Sequence, residues 1–277
     1  MLGTLYLVST PIGNLEDITL RALRILKEVD LIAAEDTRHT KKLLTHYEIQ
    51  TSLTSYFEHN KVVKGKYLQD LLLEGKNIAL VTDAGTPGIS DPGEKIVRDS
   101  ILTGIKVVPI PGAVALIASL SVSGLPTNKF FFQGFLPKKT KGKKEILEGL
   151  KEECSTLIFY ESPYRVKETL KVMLEIFGAR PAVIVRELTK FYEEIKRGNL
   201  NELAEDPFVP KGEFCIMISG YDANLSPKKI LGDEEIKNLV QNLQKEKGFF
   251  LKKAVHQIAK GNNLSSRKVY QLMIAKL

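Results

Sequence analysis

Two cysteines are too few for a disulfide scaffold, and Cys154 and Cys215 each lie in or beside an apolar strand pattern with no CxxC or Cys/His spacing. Buried, reduced thiols and a cytoplasmic setting are the expectation. The four histidines, His39, His46, His59 and His256, form no ligand pattern, so no metal is expected. The longest apolar region, residues 107–120, is broken by Pro109, Pro111 and Gly112, which leaves no segment able to span a bilayer. The opening MLGTLYLVST lacks both a basic start and a long apolar core, and it reads as a strand rather than a secretory leader. What remains is a 277-residue chain, 43% apolar and 26% charged, long enough to bury a sizeable core in two or more domains.

Residues 77–93, NIALVTDAGTPGISDPG, are the stretch around which the rest is organised. Ile78–Val81 is apolar without alternation, the pattern of a strand covered on both faces in a parallel sheet. The following run of Gly, Pro, Ser, Thr and Asp excludes regular structure and lets backbone come close to a ligand. Helical spacing resumes at Ile96, so this loop joins the carboxyl end of a strand to a helix, the crevice where open α/β sheets bind ligands. A Gly/Pro-rich loop can equally be only a turn. Its glycines, Gly85, Gly88 and Gly93, match neither GxxxxGK(S/T) nor GxGxxG, and no Lys or Arg lies within it, so it is poorly equipped for a triphosphate. Main chain with Asp83 and Asp91 better suits a neutral or cationic ligand. S-adenosylmethionine fits that description, as do other ligands of the kind.

The flanking sequence alternates strands and helices, which implies parallel pairing with right-handed crossovers. Strands are read at residues 5–8, 31–34, 78–81 and 106–110, with Asp17 as cap of the first helix and helices near 40–46, 60–74 and 96–103. After residues 31–34 comes Glu35-Asp36-Thr37-Arg38-His39, either a catalytic or substrate-binding group or a helix cap with a local ion pair. Pro109-Ile110-Pro111-Gly112-Ala113 opens a second bare-backbone loop before a helix over 113–122. A domain boundary is read at residues 124–127, giving domains 1–123 and 124–222. In the second, strands at 130–135, 156–160, 182–185, 192–197 and 213–218 with few helices predict a mixed sheet. Residues 138–144 hold five Lys, read as a solvated, mobile loop or as a clamp that orders on phosphates.

The net charge of +7 is localised. Residues 227–277 carry eleven Lys/Arg against four acids, whereas residues 1–226 balance at 29 against 29. Residues 222–227 read as a linker and 227–277 as a helical module whose last two helices, with Gly261-Asn262-Asn263 between them and Ser265 as cap, fit a helix-turn-helix or any short helical hairpin. A basic appendage on a neutral body suggests a polyanionic partner, or a solubilising surface.

Five strings carry a family resemblance: STPIGNLEDIT (9–19), AEDTRHTKKLL (34–44), VTDAGTPGISDPG (81–93), PIPGA (109–113) and FYESPYR (159–165). Together they closely resemble the ribosomal RNA small subunit methyltransferase I family, cytidine 2′-O-methyltransferases of the tetrapyrrole methylase (class III) superfamily, over nearly the whole chain. The resemblance implies a two-domain α/β tetrapyrrole methylase fold, a parallel N-terminal sheet and a mixed second sheet, with the small helical module appended. It implies S-adenosylmethionine in the cleft between the domains, a homodimer, and a decoding-region cytidine of 16S rRNA in the small ribosomal subunit as substrate, with no membrane. The cofactor lining it implies is Asp83, Ala84, Gly85, Thr86, Ile89 and Ser90 from the first loop, Gly112, Ala113 and Val114 from the second, and Tyr160, Glu161 and Phe214.

Methyl transfer to a ribose hydroxyl needs an in-line arrangement and either a proton acceptor or stabilisation of developing charge. Glu161, Glu35, Asp36, Glu187 and Asp17 are candidate acceptors, with Glu161 and Asp36 placed first. Asn14, Arg38 and Arg165 are assigned to RNA, with Lys138, Lys139, Lys141, Arg267 and Lys268 as further contacts and Arg186, Lys190 and Arg197 as electrostatic candidates. Two other readings compete: a tetrapyrrole (precorrin) C-methyltransferase, which has no use for the basic tail, and a non-catalytic RNA-binding protein, which leaves both Gly/Pro loops without a purpose.

Overall fold

The computed structural model describes residues 1–222, 232–261 and 264–274. Residues 1–221 form one compact unit and residues 222–277 a second.

The first unit holds two five-stranded sheets. The first uses β1 (Thr4–Val8), β2 (Leu31–Ala34), β3 (Leu53–Ser55), β4 (Ile78–Val81) and β5 (Lys106–Ile110) in the order β3-β2-β4-β1-β5, every pair parallel. Its apolar strands have cores on both faces, as expected for parallel strands under helical crossovers. One core gathers Ile25 and Leu26 of α1 (Leu20–Glu28) and Leu44 of α2 (Thr37–His46). The other gathers Leu68 and Leu72 of α3 (Lys61–Leu73) and Ile96 of α4 (Glu94–Leu102). Pro109 is tolerated because β5 is an edge strand.

The second sheet combines β6 (Phe130–Phe135), β7 (Thr156–Glu161), β8 (Pro181–Arg186), β9 (Glu194–Asn199) and β10 (Phe214–Ile218) in the order β6-β7-β10-β8-β9. Only β6 and β7 pair in parallel, so the sheet is mixed as expected. On one face lie α6 (Thr140–Gly149), α7 (Val166–Phe177) and α8 (Leu200–Glu205). On the other, Leu116 and Leu120 of α5 (Ala115–Ser123) pack against Ile158, Val183, Val185 and Met217. A helix that leaves the first sheet thus shares a core with the second and joins the two halves.

Several expectations change. Residues 53–55 pair with β2, a strand too short and too weakly patterned to signal itself. Asp17 caps nothing: Asn14 caps the 3₁₀ turn Leu15–Asp17, and Thr19 accepts from the Ala22 amide to cap α1. The lysine run is not a mobile loop. From Thr140 it is helical, and the Lys143 side chain is buried, donating to Glu168 Oε1 at 3.1 Å and Thr169 Oγ1 at 3.0 Å. Cys154 is exposed, because it precedes β7 instead of lying within it, while Cys215 is buried with its thiol pushed up to about 12 by burial.

In the second unit α9 (Asp233–Lys247), α10 (Leu251–Gly261) and α11 (Ser266–Ile274) enclose Ile236, Val240, Ala254, Val255 and Val269. Most of the expected 222–227 linker and Asn262-Asn263 lie outside the described residues. Ser265 Oγ accepts from the Lys268 amide at 3.5 Å, a long cap for α11. Among the described residues no helix is long and apolar enough to cross a membrane.

Candidate active site

The carboxyl ends of β1, β2, β4 and β5 open onto a cleft of about 430 Å³ whose opposite wall is the second sheet. The first sheet contributes Ile12, Glu35, residues 83–86 and 89–91, Val114 and Ala115; the second contributes Phe135, Tyr160, Glu161, Val185, Leu188 and residues 212–215. That volume lies within the range of cofactor pockets.

The loop after β4 is held from three sides. Its Gly85 exchanges both main-chain hydrogen bonds with Thr10, at 2.9 and 3.1 Å. Thr86 Oγ1 lies 2.7 Å from Ser9 Oγ and donates to the Ala113 carbonyl at 3.4 Å. Across the cleft, β6 bulges between Phe132 and Gly134, bringing Gly134 against Ser90, itself held at φ 64 in the left-handed region. Gly112 supports this cradle without lining it, since a Cβ there would sit 2.8 Å from Ser9 Cβ. The Tyr160 hydroxyl accepts from the Leu116 amide at 2.9 Å, tying the second sheet to the first turn of α5.

The sequence places Asp83 and Asp91 beside bare main chain without a Lys or Arg; the structure adds further acids to them. Glu35, Asp83, Asp91, Glu161 and Glu213 line the cleft, and no Lys, Arg or His does so among the described residues. Burial, reinforced by Glu35, Asp83 and Glu213, pushes the Asp91 carboxyl up to about 7. Burial likewise raises Glu35, opposed by a long hydrogen bond from the Asp83 amide at 3.5 Å and reinforced by Asp83 and Asp36. A cation bound there would relieve this repulsion.

Ten of the twelve expected cofactor residues line the cleft: Asp83, Ala84, Gly85, Thr86, Ile89, Ser90, Val114, Tyr160, Glu161 and Phe214. Gly112 and Ala113 stand behind them. The two leading acid–base candidates are less free than expected. Glu161 is buried, and both its oxygens are engaged: Oε1 accepts from the Ser162 amide at 2.8 Å, Oε2 from Thr169 Oγ1 at 2.6 Å with Arg165 Nη2 at 3.4 Å. Asp36 caps α2 and binds Arg38 through both oxygens, at 3.1 Å to Nε and 2.7 Å to Nη2, which holds its carboxyl well below the usual range. The cap and ion-pair reading of residues 35–39 therefore prevails locally.

The expected RNA contacts divide. Lys138, Lys139, Lys141, Arg267, Lys268 and Asn14 are exposed, although the Asn14 side chain already accepts from the Glu16 amide. Arg38 is paired with Asp36 but 89% exposed. Arg165 turns inward, donating to the Leu136 and Pro137 carbonyls at 2.7 and 3.0 Å, because its helix packs under β6 and β7. Arg186 pairs with Glu194, Lys190 with Glu187 and Glu213, and Arg197 donates to the Val122 and Ser123 carbonyls.

The tetrapyrrole (corrin/porphyrin) methylase family pattern matches residues 4–204. The ribosomal RNA small subunit methyltransferase I of Halalkalibacterium halodurans is 51% identical over 98% of this chain and 94% of its own. The chain belongs to the ribosomal RNA small subunit methyltransferase I family. The Bacillus subtilis protein of the same name is 47% identical over 97% of this chain and 93% of its own. A uroporphyrin-III C-methyltransferase from Thermus thermophilus has the same fold, with a TM-score of 0.56 at 20% identity over 78% of this chain and 94% of that one.

In this member of the ribosomal RNA small subunit methyltransferase I family, a methyltransferase, one lining acid, Glu213, was not expected from the sequence. Asp91, marked with Asp83 in the signature loop, lines the cleft as expected of a cation-attracting acid. Glu213, by contrast, reaches the cleft only through the antiparallel placement of β10 between β7 and β8.

Proposed function

We propose that this chain transfers the methyl group of S-adenosylmethionine to the ribose 2′-oxygen of a decoding-region cytidine in 16S rRNA of the small ribosomal subunit. The observation that carries the donor is the acid-lined cleft, free of Lys, Arg and His among the described residues, beside the N-terminus of α5, which its N-cap residue Val114 leaves without a side-chain cap. A sulfonium and an ammonium suit the acids, and a carboxylate suits the helix end. The substrate rests on relatives named for small subunit rRNA and on the exposed lysines after β6.

Bound there, the donor would supply an electrophilic methyl carbon. The chain's part is to hold the donor against the braced main chain of residues 83–90, exclude water with Ile12, Val185 and Leu188, and accept the proton that the hydroxyl loses. Glu35 and Asp91, with raised pKa values inside the cleft, suit that last task better than Asp36 or the fully engaged Glu161. A homodimer working in the cytoplasm belongs to the same reading. The likeness to a uroporphyrin methyltransferase carries the fold only, and the acid-lined cleft disfavours a polycarboxylate tetrapyrrole acceptor.

Incubation with labelled S-adenosylmethionine and 30S subunits should label 16S rRNA on a cytidine ribose, and absence of label on both subunits and naked rRNA would refute the assignment. Truncation after Asp222 removes a segment carrying a charge of +7 and should weaken rRNA binding and flatten its salt dependence, with donor affinity unchanged by calorimetry.

Donor affinity should also depend on pH. Asp91 titrates near 7, and only its ionised form attracts a sulfonium, so affinity should climb several-fold from pH 6 to 8 and then level off. Stability of the free protein runs the other way. The folded state holds the Asp91 proton above its ordinary value of 3.8, so this contribution is complete below that pH and is lost as pH rises through about 7. Asp91→Asn should flatten both profiles; an unchanged affinity profile would remove Asp91 from donor binding.

A further inference from the structure

β7 and β8 each run antiparallel to β10, and β6 runs parallel to β7, so the carboxyl ends of β6, β7 and β8 share one edge of the second sheet. This is the edge that lines the cleft. The loops leaving it carry Tyr164, 86% exposed, and the neighbours Phe191 and Tyr192, 93% and 69% exposed. The rings of Phe191 and Tyr192 meet edge to face, with centroids 5.0 Å apart.

The turn that presents them is braced. Glu187 and Thr189 adopt φ of 50 and 67, left-handed values that non-glycine residues rarely take. The Thr189 amide donates to Glu193 Oε2 at 2.7 Å, and Lys190 Nζ donates to Glu187 at 2.8 Å and Glu213 at 2.9 Å. The turn is also pressed on the loop after β1, where a Cβ at Gly13 would sit 2.4 Å from Lys190 Cγ. Strain and ion pairs here hold two large rings in water, an arrangement that stabilises nothing within the chain.

The surroundings indicate the occupant. Lys138 and Lys139 are exposed on the same edge, just beyond β6. A second cavity of about 340 Å³, lined by His39, Lys42 and Lys190, adjoins the donor cleft through their common Asp83. Flat rings and cations beside a methyl-donor cleft match unpaired bases with their phosphates.

We propose that Phe191 and Tyr192, with Tyr164, form a stacking platform for unpaired bases of the RNA segment that flanks the acceptor nucleotide, so that this segment is bound as a single strand. The inference rests on the RNA substrate argued above.

The chain contains no Trp, so Phe191→Trp installs a unique fluorophore. Its emission should be quenched by a single-stranded RNA of roughly ten nucleotides and not by the same sequence as a duplex. The double variant Phe191→Ala/Tyr192→Ala should raise the KM for 30S subunits by roughly tenfold or more, while Tyr192→Phe keeps the wild-type value and donor affinity is unchanged in both. Absence of quenching together with an unchanged KM would overturn the platform. Quenching by 30S subunits but not by any protein-free RNA would overturn it too, assigning the rings to a ribosomal protein. Wild-type protein that transfers no methyl to subunits or rRNA would refute the proposed function itself; transfer by wild type with an unaffected double variant refutes the platform alone.

Discussion

Glu161→Ala should lower the free energy of unfolding by about 3–5 kcal/mol, the loss expected when one partner of a buried ion cluster is removed. Glu161 is buried at the end of β7, and its carboxylate accepts from the Ser162 amide and from Thr169, with Arg165 alongside. Thr169 in turn accepts from the buried Lys143. Truncation would leave one hydroxyl without its acceptor and the Arg165 guanidinium without its counter-ion in a low-dielectric site. For a chain of this size the melting temperature should fall by roughly 10 °C, measured by calorimetry. Lys143→Met should cost much less, because its remaining partner Glu168 is 55% exposed and hydrates freely. Glu161→Gln decides between roles: a positioning group loses stability along with activity, whereas a variant with wild-type melting and abolished turnover would restore Glu161 as the proton acceptor.

Gly85→Val should lower donor affinity at least tenfold while leaving the two sheets folded. Gly85 has φ 85, a region closed to β-branched residues, and its amide and carbonyl are both committed to Thr10. A left-handed conformation costs an L-residue roughly 1–2 kcal/mol even with space available. Space for the first carbon exists, since an added Cβ would lie 3.6 Å from Ile12 Cγ2 and 3.7 Å from the Ala113 carbonyl. The further methyls of Val have no such allowance, and escape by turning the peptide would break the Thr10 pairing that holds the cradle. Calorimetric titration with S-adenosylmethionine checks this, and Gly85→Ala should fall between the two; wild-type affinity in Gly85→Val would mean that the loop does not hold the donor.

Much of the architecture was legible because its signals are local. Strands such as Ile78–Val81 and Phe130–Phe135 are mostly apolar runs set between turn-forming stretches, and the helix read over 96–103 stops just before Gly104, at φ 74. β3 was not legible: three residues pair only because β2 offers an open edge. The lysine run misled because composition reports the average residue. Lys143 is buried for a reason outside the run, the presence of Thr169 and Glu168 on a helix that packs against α6. Residues 35–39 were ambiguous in sequence, since acids beside Arg and Thr serve either catalysis or capping; the short Asp36–Arg38 contacts decide for capping, and they leave Glu35 facing the cleft.

The amino-acid order alone determined the two strand-end loops, the alternation that makes the first sheet parallel and the concentration of positive charge after residue 226. Each of these follows from neighbours within about one turn or one loop, where hydrophobic spacing and backbone freedom act directly. Only the tertiary structure decided that Glu35 and Glu213, from distant segments, join the acids of the loop, and their proximity raises the proton affinity of Asp91 only once burial brings them together. The same holds for Arg165 and Glu161, which lie in a motif that looks catalytic and face partners in the core.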